Sequence, residues 1–287
     1  MVESTHIDPE LLPVVFSDLD GTLLDHVDYT CEPALDALQQ LKARNIPLIL
    51  ASSKTRAEMQ SVGEELGAAG LIFENGAGVQ WPSNINPGSP APAKHISYAD
   101  IRQFIEALPP ELRCHLPGFG DMDDAEVAGV TGLPLDDARR ALQREYTEPF
   151  VWSATGEELA QVMARAEAAG IRVVRGGRFN SFTGPHDKAS RLREICCAYA
   201  MQAGKGRKVW SIALGDAPND AEMLCAADRG FIIDNPDGSK LPELPGERDG
   251  YITRAAAVGP AGWNQSVILA LEEIDTLNMN RKRSASG

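Results

Sequence analysis

The chain has 287 residues, a hydrophobic content of 43% and a formal net charge of −14. This length exceeds one ordinary domain, and the apolar content is sufficient for one large core and a smaller one. The acidity argues against nucleic acid as a partner, because binding to a phosphate backbone depends on clusters of Lys and Arg. We therefore expect a soluble globular protein, and a small phosphorylated ligand remains compatible with its charge.

Cysteine usage and the distribution of apolar residues indicate in which cellular compartment the protein is expected. The five cysteines are an odd number, and none has the paired Cys-x-x-Cys spacing of a metal site, which indicates reduced thiols. No charged n-region followed by an apolar segment opens the chain, and no apolar run approaches the length of a membrane span. We expect a cytoplasmic protein that has no membrane partner.

The first predicted element is an apolar strand at 14–18, whose last residue begins the phrase Asp18-Leu19-Asp20-Gly21-Thr22. Alternate residues that leave a strand point the same way, so both carboxylates can serve one ligand at the carboxyl edge of a parallel sheet. We predict Asp18 as a nucleophile that attacks phosphorus, and Asp20 as the acid that protonates the leaving oxygen and later activates water. The alternative is a turn or a solvated loop, since a lone Asp-x-Asp-Gly is usually one of these.

Strand and helix signals alternate along the rest of the chain, with a change of composition in the middle. Residues 82–92 are rich in Pro, Ser, Asn and Gly, which is typical of a domain boundary. Further strands are predicted at 48–51, 71–73, 150–152, 171–174 and 209–214, and helices at 98–108, 136–146 and 156–169. The fold class is therefore predicted to be α/β, with a Rossmann-like parallel-sheet core (1–83 and 186–287) and an inserted α/β cap domain (84–185).

A second acidic phrase, Gly215-Asp216-Ala217-Pro218-Asn219-Asp220, follows the predicted strand at 209–214. Magnesium prefers octahedral oxygen coordination and takes few protein carboxylates, which this phrase and the first one can supply together. We predict Mg²⁺ as the cofactor, with Asp18, Asp20 and Asp216 as its ligands and a backbone carbonyl among the oxygens. Asn219 and Asp220 are predicted to support these ligands from behind.

Four features of the sequence match, in the family order, the motifs of the haloacid dehalogenase-like phosphatases. They are Asp18-x-Asp20-Gly21-Thr22, Ser52 after its strand, Lys188, and Gly215-Asp216-x-x-Asn219-Asp220. Further phrases resemble the mannosyl-3-phosphoglycerate phosphatases, members of the Cof type with an α/β cap, over nearly the whole chain. These phrases are 51–55, 74–76, 118–122, 148–150, 175–179 and 259–264.

The resemblance implies that Ser52 and Lys188 bind the transferring phosphate. The chemistry agrees, because a hydroxyl donor and an ammonium would neutralise charge on the phosphoryl oxygens. Without the other motifs, Ser52 could equally end a strand or cap a helix that starts near Thr55, and Lys188 could be a solvated lysine.

The resemblance also implies contacts with the rest of the substrate. The predicted substrate-binding residues are Lys54, Thr55, Glu74, Asn75, Arg175, Gly177 and Arg178. Arginine forks suit a carboxylate, and glycines permit close backbone approach. The alternatives are a β-hairpin that turns at Gly176-Gly177 with exposed arginines, and a strand-end turn at Glu74-Asn75-Gly76.

The activity implied is hydrolysis of 2-O-mannosyl-3-phosphoglycerate to mannosylglycerate and phosphate through an aspartyl-phosphate, a step of mannosylglycerate biosynthesis. The expected partner is thus a small phosphorylated sugar-glycerate substrate. A glucosyl-3-phosphoglycerate or another sugar phosphate is an open alternative, because few polar contacts discriminate sugars that differ in one hydroxyl. A phosphomutase and a non-catalytic sugar-phosphate binder are also compatible with these motifs. The oligomeric state stays open.

Overall fold

A computed structural model describes residues 10–85, 96–153, 155–175, 179–204, 207–236 and 240–284. The side chains of Arg175 and Lys282 lie outside this description. The strands are β1 (Glu10–Ser17), β2 (Leu48–Ala51), β3 (Gly70–Phe73), β4 (Gly78–Gln80), β5 (Glu148–Phe150), β6 (Arg172–Arg175), β7 (Asn180–Thr183), β8 (Arg207–Gly215), β9 (Arg229–Asp234) and β10 (Ile252–Val258).

Helices connect most of these strands. They are α1 (Leu35–Ala43), α2 (Arg56–Leu66), α3 (Tyr98–Glu106), α4 (Pro110–Arg113), α5 (Asp124–Thr131), α6 (Leu135–Ala141), α7 (Gly156–Ala168), α8 (Lys188–Ala203), α9 (Ala221–Ala226), α10 (Pro245–Asp249) and α11 (Gly259–Ser284). Short 3₁₀ turns occupy Glu32–Ala34, Glu74–Gly76, Phe119–Asp121 and Pro218–Asp220. Among the described helices, none combines the length and the apolar character needed to cross a bilayer.

The larger sheet has seven strands in the order β10-β9-β8-β1-β2-β3-β4. All neighbours are parallel except β3 and β4, which form an antiparallel pair. The central strand β1 is buried at both faces over Val14–Phe16, because helices cover the sheet on both sides. This arrangement brings the carboxyl ends of β2, β1 and β8 side by side at one edge, where ligands bind in open α/β sheets.

The smaller sheet has three antiparallel strands in the order β5-β7-β6. Its core is separate from that of the larger sheet and contains Phe150 stacked on Phe182 at a centroid distance of 4.5 Å. Helices α3 and α7 bury an apolar stripe, including Ile101, Ile105 and Val162, in the same core. The chain enters and leaves this unit between β4 and α8.

The predicted α/β class is confirmed, with a mostly parallel sheet and a second α/β unit. Most predicted elements differ from the observed bounds by a few residues, and the tertiary contacts explain two of these differences. The strand expected at 150–152 is Glu148–Phe150, because its pairing with β7 ends at Phe150. The helix expected at 136–146 is Leu135–Ala141, because the backbone of residues 145–147 bonds to the Glu74 carboxylate instead of continuing the helix. The domain limits stay a prediction.

Candidate active site

Four predicted residues lie together where the strands β2, β1 and β8 end. Asp18 follows β1, Ser52 follows β2, Asp216 follows β8, and Lys188 is the first residue of α8. All four are buried, with exposures of 7%, 2%, 6% and 1% in that order. Residues far apart in sequence meet here because adjacent parallel strands present their carboxyl ends at one edge.

The buried Lys188 ammonium bonds to two carboxylates of the site. Its Nζ donates to Asp18 Oδ1 at 2.6 Å and to Asp220 Oδ1 at 2.7 Å. Burial alone would lower the pKa of Lys188, but the charges of Asp18 and Asp220 outweigh it and hold the pKa above its ordinary value. The ammonium is therefore charged throughout the physiological range.

Carboxylate oxygens of Asp18, Asp216 and Asp220 lie within 4.8 Å of one another. Burial, with the charges of Asp220 and Asp216, raises the pKa of Asp18 well above its ordinary value although Lys188 opposes this. Burial, followed by the charge of Asp220, raises the pKa of Asp216 to about 6. Three carboxylates thus face one ammonium in a buried site, an excess of negative charge that a divalent cation would balance.

The donor set fits magnesium, which takes oxygen ligands. Two buried oxygens beside the cluster, Asp20 Oδ1 and Asn219 Oδ1, have no hydrogen-bond partner among the described residues. The Asp20 carboxylate itself lies outside the three-residue cluster, because its Oδ2 pairs with Lys54 Nζ at 2.9 Å. The role of Asp20 as a metal ligand stays a prediction.

Neighbouring residues fix the orientation of Asp216. Thr22 Oγ1 donates to one carboxylate oxygen and Asn235 Nδ2 to the other, each at 2.7 Å. Asp220 Oδ2 accepts from the backbone N–H groups of Asp216 and Ala217. At Gly21, which has φ +78°, an added Cβ would lie 2.3 Å from Asn235 Nδ2 and 2.9 Å from Asp216 Oδ2, so only glycine fits.

Residues of the phrase at 259–264 hold the end of β1, next to the predicted nucleophile Asp18. Trp263 is fully buried, and its Nε1 donates to Ser17 Oγ at 2.9 Å. The Ser17 hydroxyl in turn donates to the carbonyl of Asp18 at 2.6 Å. Asn264 Oδ1 accepts from the backbone N–H of Ala37, which joins α11 to α1. This chain of bonds holds the end of β1 in place.

Two predicted substrate residues, Lys54 and Asn75, line the cleft that opens from this site. Lys54 lies between the Asp20 carboxylate and the Tyr29 ring, with Nζ 5.5 Å from the ring centroid. Asn75 Oδ1 accepts from Asn219 Nδ2 at 3.1 Å, which leaves the Asn75 amide nitrogen as the donor available to a ligand.

Two other predicted substrate residues, Thr55 and Glu74, do not line the cleft. The Thr55 hydroxyl caps α2 by accepting from the Glu58 N–H, and it donates to the Arg140 carbonyl at 2.9 Å. Thr55, and not Ser52, therefore caps this helix. The fully buried Glu74 carboxylate accepts from the N–H groups of residues 145–147 and from the Thr147 hydroxyl. Both side chains join the cap to the core, so their geometry favours a structural contact over a ligand contact.

The remaining predicted substrate contacts are not tested by the geometry. Gly177 and Arg178 lie outside the described residues, and so does the side chain of Arg175. The Arg175 backbone ends β6, where it pairs with Asn180 of β7. Their contact with substrate stays a prediction.

Several cleft residues were not identified from the sequence as site residues. They are His26, Tyr29, Ser53, Glu58, Phe119, Thr131, Leu133, Ala141, Arg144, Pro149, Phe179, Ser181, Ala217 and Asn235. His26 and Tyr29 belong to the loop after β1, and Tyr29 has a left-handed backbone (φ +57°) that is rare for a bulky residue. The sequence carries no local signal for this loop. The phrases that carry the family resemblance include Phe119, Pro149 and Phe179. The sequence did not show that these residues line the cleft, because this depends on their positions in the tertiary structure.

The model of the haloacid dehalogenase-like hydrolase family matches residues 15–121. A glucosyl-3-phosphoglycerate/mannosyl-3-phosphoglycerate phosphatase of Methanococcoides burtonii is 35% identical over 89% of this chain and 96% of its own length. A protein of the same description from Persephonella marina is 34% identical over 91% of this chain and 98% of its own length. The chain belongs to this phosphatase family. The predicted family is thus confirmed, and so is the activity class of a phosphoric monoester hydrolase.

Solved structures agree with this family at the level of the fold. A haloacid dehalogenase superfamily phosphatase from Bacteroides thetaiotaomicron aligns with a TM-score of 0.59 and 18% identity, covering 96% of this chain and 98% of that one. The sucrose-phosphatase of Synechocystis sp. PCC6803, solved with sucrose and phosphate, has a TM-score of 0.56 and 16% identity over 93% and 98%. The phosphatase therefore shares the core and cap architecture of these proteins.

Proposed function

We propose that this phosphatase hydrolyses 2-O-mannosyl-3-phosphoglycerate to mannosylglycerate and phosphate, with Mg²⁺ and through an aspartyl-phosphate. The observation that carries the proposal is the buried cluster of Asp18, Lys188, Asp216 and Asp220 at the base of a cleft that residues of both core and cap line. Two relatives that align over nearly their whole length are named for this activity, which supports the choice of substrate.

In the first step, Asp18 attacks phosphorus while Asp20 gives a proton to the leaving glycerate oxygen. Because Asp18 Oδ1 accepts from Lys188, we assign the attack to Oδ2. Asp20 lies two residues on, paired with Lys54, and the same carboxylate takes a proton from water when the aspartyl-phosphate is hydrolysed.

The phosphoryl oxygens are expected to contact Ser52 and Lys188. Ser52 Oγ already accepts from the Lys54 N–H at 3.3 Å, so its own O–H is available to donate to phosphate. The Lys188 ammonium supplies positive charge in a buried site, where a charge acts more strongly than in water.

Asp18, Asp216 and the Asp20 carbonyl would hold magnesium. When bound, the ion neutralises charge on the phosphoryl group and on the attacking carboxylate. Asp220 lies behind these ligands, since its two oxygens are occupied by Lys188 and by two backbone N–H groups.

A broader activity on both glycosyl compounds is the second candidate, favoured by the relatives, whose names carry both the glucosyl and the mannosyl substrate. A mannosyl and a glucosyl group differ in the orientation of one hydroxyl, and a few contacts decide between them. A phosphomutase would use the same Asp18 chemistry but return the phosphoryl group to a sugar. A binder would need no acid beside the nucleophile.

The test is phosphate release from mannosyl-3-phosphoglycerate, glucosyl-3-phosphoglycerate, 3-phosphoglycerate and mannose phosphates, with magnesium and after chelation. Magnesium-dependent release with the highest kcat/KM on the mannosyl compound supports the proposal. Equal rates on both glycosyl compounds support the broader activity. Phosphate transfer without release points to a mutase, and binding without turnover points to a binder.

A further inference from the structure

A loop that lines the cleft carries a strained aromatic residue. Tyr29 lines the cleft and is 41% exposed. Its backbone is left-handed, with φ +57°, a conformation that is uncommon for a bulky residue and costs free energy. The surrounding structure must therefore enforce this conformation, and residues held in this way cluster at ligand sites.

Hydrogen bonds within residues 25–30 hold the loop in shape. The Tyr29 N–H donates to the Asp25 carbonyl at 3.2 Å, and the Asp25 N–H donates to the Thr30 carbonyl at 2.9 Å. Asp25 Oδ1 also accepts from the Val27 N–H at 2.8 Å. These bonds close the loop on itself, so Tyr29 has a defined position although the loop is largely exposed.

The loop is connected directly to the turn that carries the predicted catalytic aspartates. It begins after Leu24, whose N–H donates to the Leu19 carbonyl at 2.8 Å and whose carbonyl accepts from the Gly21 N–H at 2.9 Å. Leu24 also forms a β-bridge with Asp20. A short stretch of chain with its own hydrogen bonds therefore sets the position of Tyr29 relative to Asp20.

The Lys54 ammonium lies between Asp20 and Tyr29. Its Nζ is 2.9 Å from Asp20 Oδ2 and 5.5 Å from the centroid of the Tyr29 ring, a distance at which an aromatic face attracts a cation. The Lys54 side chain is 17% exposed and lines the cleft. Its ammonium is thus held from two sides, by a carboxylate and by a ring, at a surface that a ligand can reach.

The charges around Lys54 leave it able to bind an anion. An ammonium has three N–H donors, and among the described residues Asp20 is the one acidic partner within ion-pair distance. Glu58, a second carboxylate that lines the cleft, lies 3.8 Å from Arg144 Nη2. The face of the Tyr29 ring attracts the ammonium without supplying a hydrogen-bond acceptor, so it orients Lys54 and leaves donors for the ligand.

We propose that Tyr29 is a positioning residue, which holds the Lys54 ammonium where it binds the carboxylate of the substrate's glycerate group. In a 3-phosphoglycerate, two carbon atoms separate this carboxylate from the leaving oxygen. A group that contacts Asp20, the predicted acid for that oxygen, is therefore within reach of the carboxylate. The proposal rests on the proposed function, because the glycerate belongs to that substrate. Tyr29 acts only through Lys54.

The experiment compares two competitors of p-nitrophenyl phosphate hydrolysis. In 3-phosphoglycerate a carboxylate stands where glycerol 3-phosphate has a hydroxymethyl group. The inhibition constant of the wild-type enzyme should be about 10-fold lower for 3-phosphoglycerate, and Lys54→Met should remove this preference. Tyr29→Leu should raise the constant for 3-phosphoglycerate about 3-fold and leave that for glycerol 3-phosphate unchanged, because a cation–π contact at an exposed site is worth a small factor.

Matched variants separate positioning from stability. Tyr29→Phe keeps the ring and should keep the wild-type preference. Val27→Ala changes an 80% exposed residue of the same loop, outside the cleft, and should change neither constant. Tyr29→Gly should weaken the preference as Tyr29→Leu does. Its midpoint of urea unfolding should nevertheless not fall below that of the wild type, because glycine adopts the left-handed backbone without strain.

Equal inhibition of the wild-type enzyme by the two competitors would overturn the proposal, since Lys54 would then bind no carboxylate. Equal changes in both constants for Tyr29→Leu, or a lost preference in Tyr29→Phe, would overturn the role of the ring. Failure of the proposed function is visible separately. The wild-type enzyme would then hydrolyse p-nitrophenyl phosphate but release no phosphate from either glycosyl-3-phosphoglycerate, whatever the two competitors show.

Discussion

The two walls of the cleft are built by different means. The core wall places charged groups directly at strand ends, where Asp18, Asp216 and Lys188 are buried and Lys188 bonds directly to Asp18. The cap wall is the set of cap residues that line the cleft, and it combines apolar side chains such as Leu133, Pro149 and Phe179 with the charged Arg144. Further charges lie away from the cleft, where Asp121 accepts from the Gly118 N–H and Glu148 accepts from the Gly120 N–H. The core wall carries the predicted catalytic carboxylates and Lys188, whereas the cap wall carries mainly apolar side chains and Arg144, on a backbone that buried carboxylates hold in place.

This difference matches the work expected of each wall. Phosphoryl transfer needs fixed charges next to the reacting atoms, and a regular sheet edge fixes them with little freedom. Recognition of a variable leaving group needs shape, and loops on a separate unit can change shape without disturbing the core. Changes in the core wall should therefore affect all substrates, and changes in the cap wall should affect some.

Among changes in the core wall, we expect Asp18→Asn to cause the largest loss of activity. An amide cannot act as the nucleophilic carboxylate, so we expect kcat to fall about 10³-fold or more on every phosphate ester. Steady-state phosphate release measures this, with circular dichroism as the check of folding. Asp36→Asn, an exposed aspartate of α1, is the control and should retain full activity. Normal turnover by the Asp18 variant would contradict the aspartyl-phosphate.

Lys188→Met removes the charge that Asp18 and Asp220 share. The two buried carboxylates would then lack their partner, so we expect a loss of about 3–5 kcal/mol in the free energy of unfolding and of nearly all activity. Urea unfolding without metal measures the first effect. Lys208→Met, where the lysine is more than half exposed, should change stability by less than about 1 kcal/mol. Similar values for both variants would show that the buried pair does not matter.

Glu74→Gln tests the contact between the core and the cap. The carboxylate accepts four hydrogen bonds from residues 145–147, and an amide retains only part of this capacity. We expect a loss of about 1–3 kcal/mol in unfolding free energy, and a lower kcat because the cap is held less firmly. Glu145→Gln, which removes only an exposed pair with Arg56, should cost less than about 1 kcal/mol. Unchanged hydrogen exchange at 145–147 would contradict the anchoring role.

The smallest expected effect is a pH dependence in the cap. Burial alone would raise the pKa of Asp121, but bonds from Arg102 and Gly118 outweigh it and hold the pKa below its ordinary value of 3.8. A lowered pKa gives stability that is present above the ordinary value and lost as pH falls through the native value. Asp121→Asn should therefore cost about 1 kcal/mol near pH 7 and less below about pH 3, as urea unfolding would show.

Asp137→Asn provides the matched comparison for this pH effect. Asp137 pairs with Arg140 on the exposed side of α6 and serves no loop. We expect little change in stability at either pH, because exposed pairs of this kind contribute little. A difference between wild type and Asp121→Asn that is constant with pH would contradict the link to carboxylate ionisation.

Much of the core could be predicted because its signals are local. The strand 48–51 was predicted at its observed bounds, and the strands that carry Asp18 and Asp216 were found because apolar β-rich runs end in a carboxylate. The roles of Thr55 and Glu74 could not be predicted this way. Thr55 follows Ser52 closely, and Glu74 follows the end of β3, so both positions suit a ligand contact. In the structure, however, Thr55 bonds to Arg140 and Glu74 bonds to Thr147, both in a distant segment of the cap.

The sequence by itself determined the alternation of strands and helices, the placement of Asp18, Asp20 and Asp216 at strand ends, and the family. These follow from periodicity and short motifs, whose physical causes act over a few residues. Only the tertiary structure decided which of the family-like phrases face the cleft. It also decided that Glu148 bonds to the backbone of Gly120, next to Phe119, and that Glu74 bonds the core to the cap. Such contacts join distant segments through packing and buried hydrogen bonds, and local sequence patterns do not encode which distant segment fills a given place.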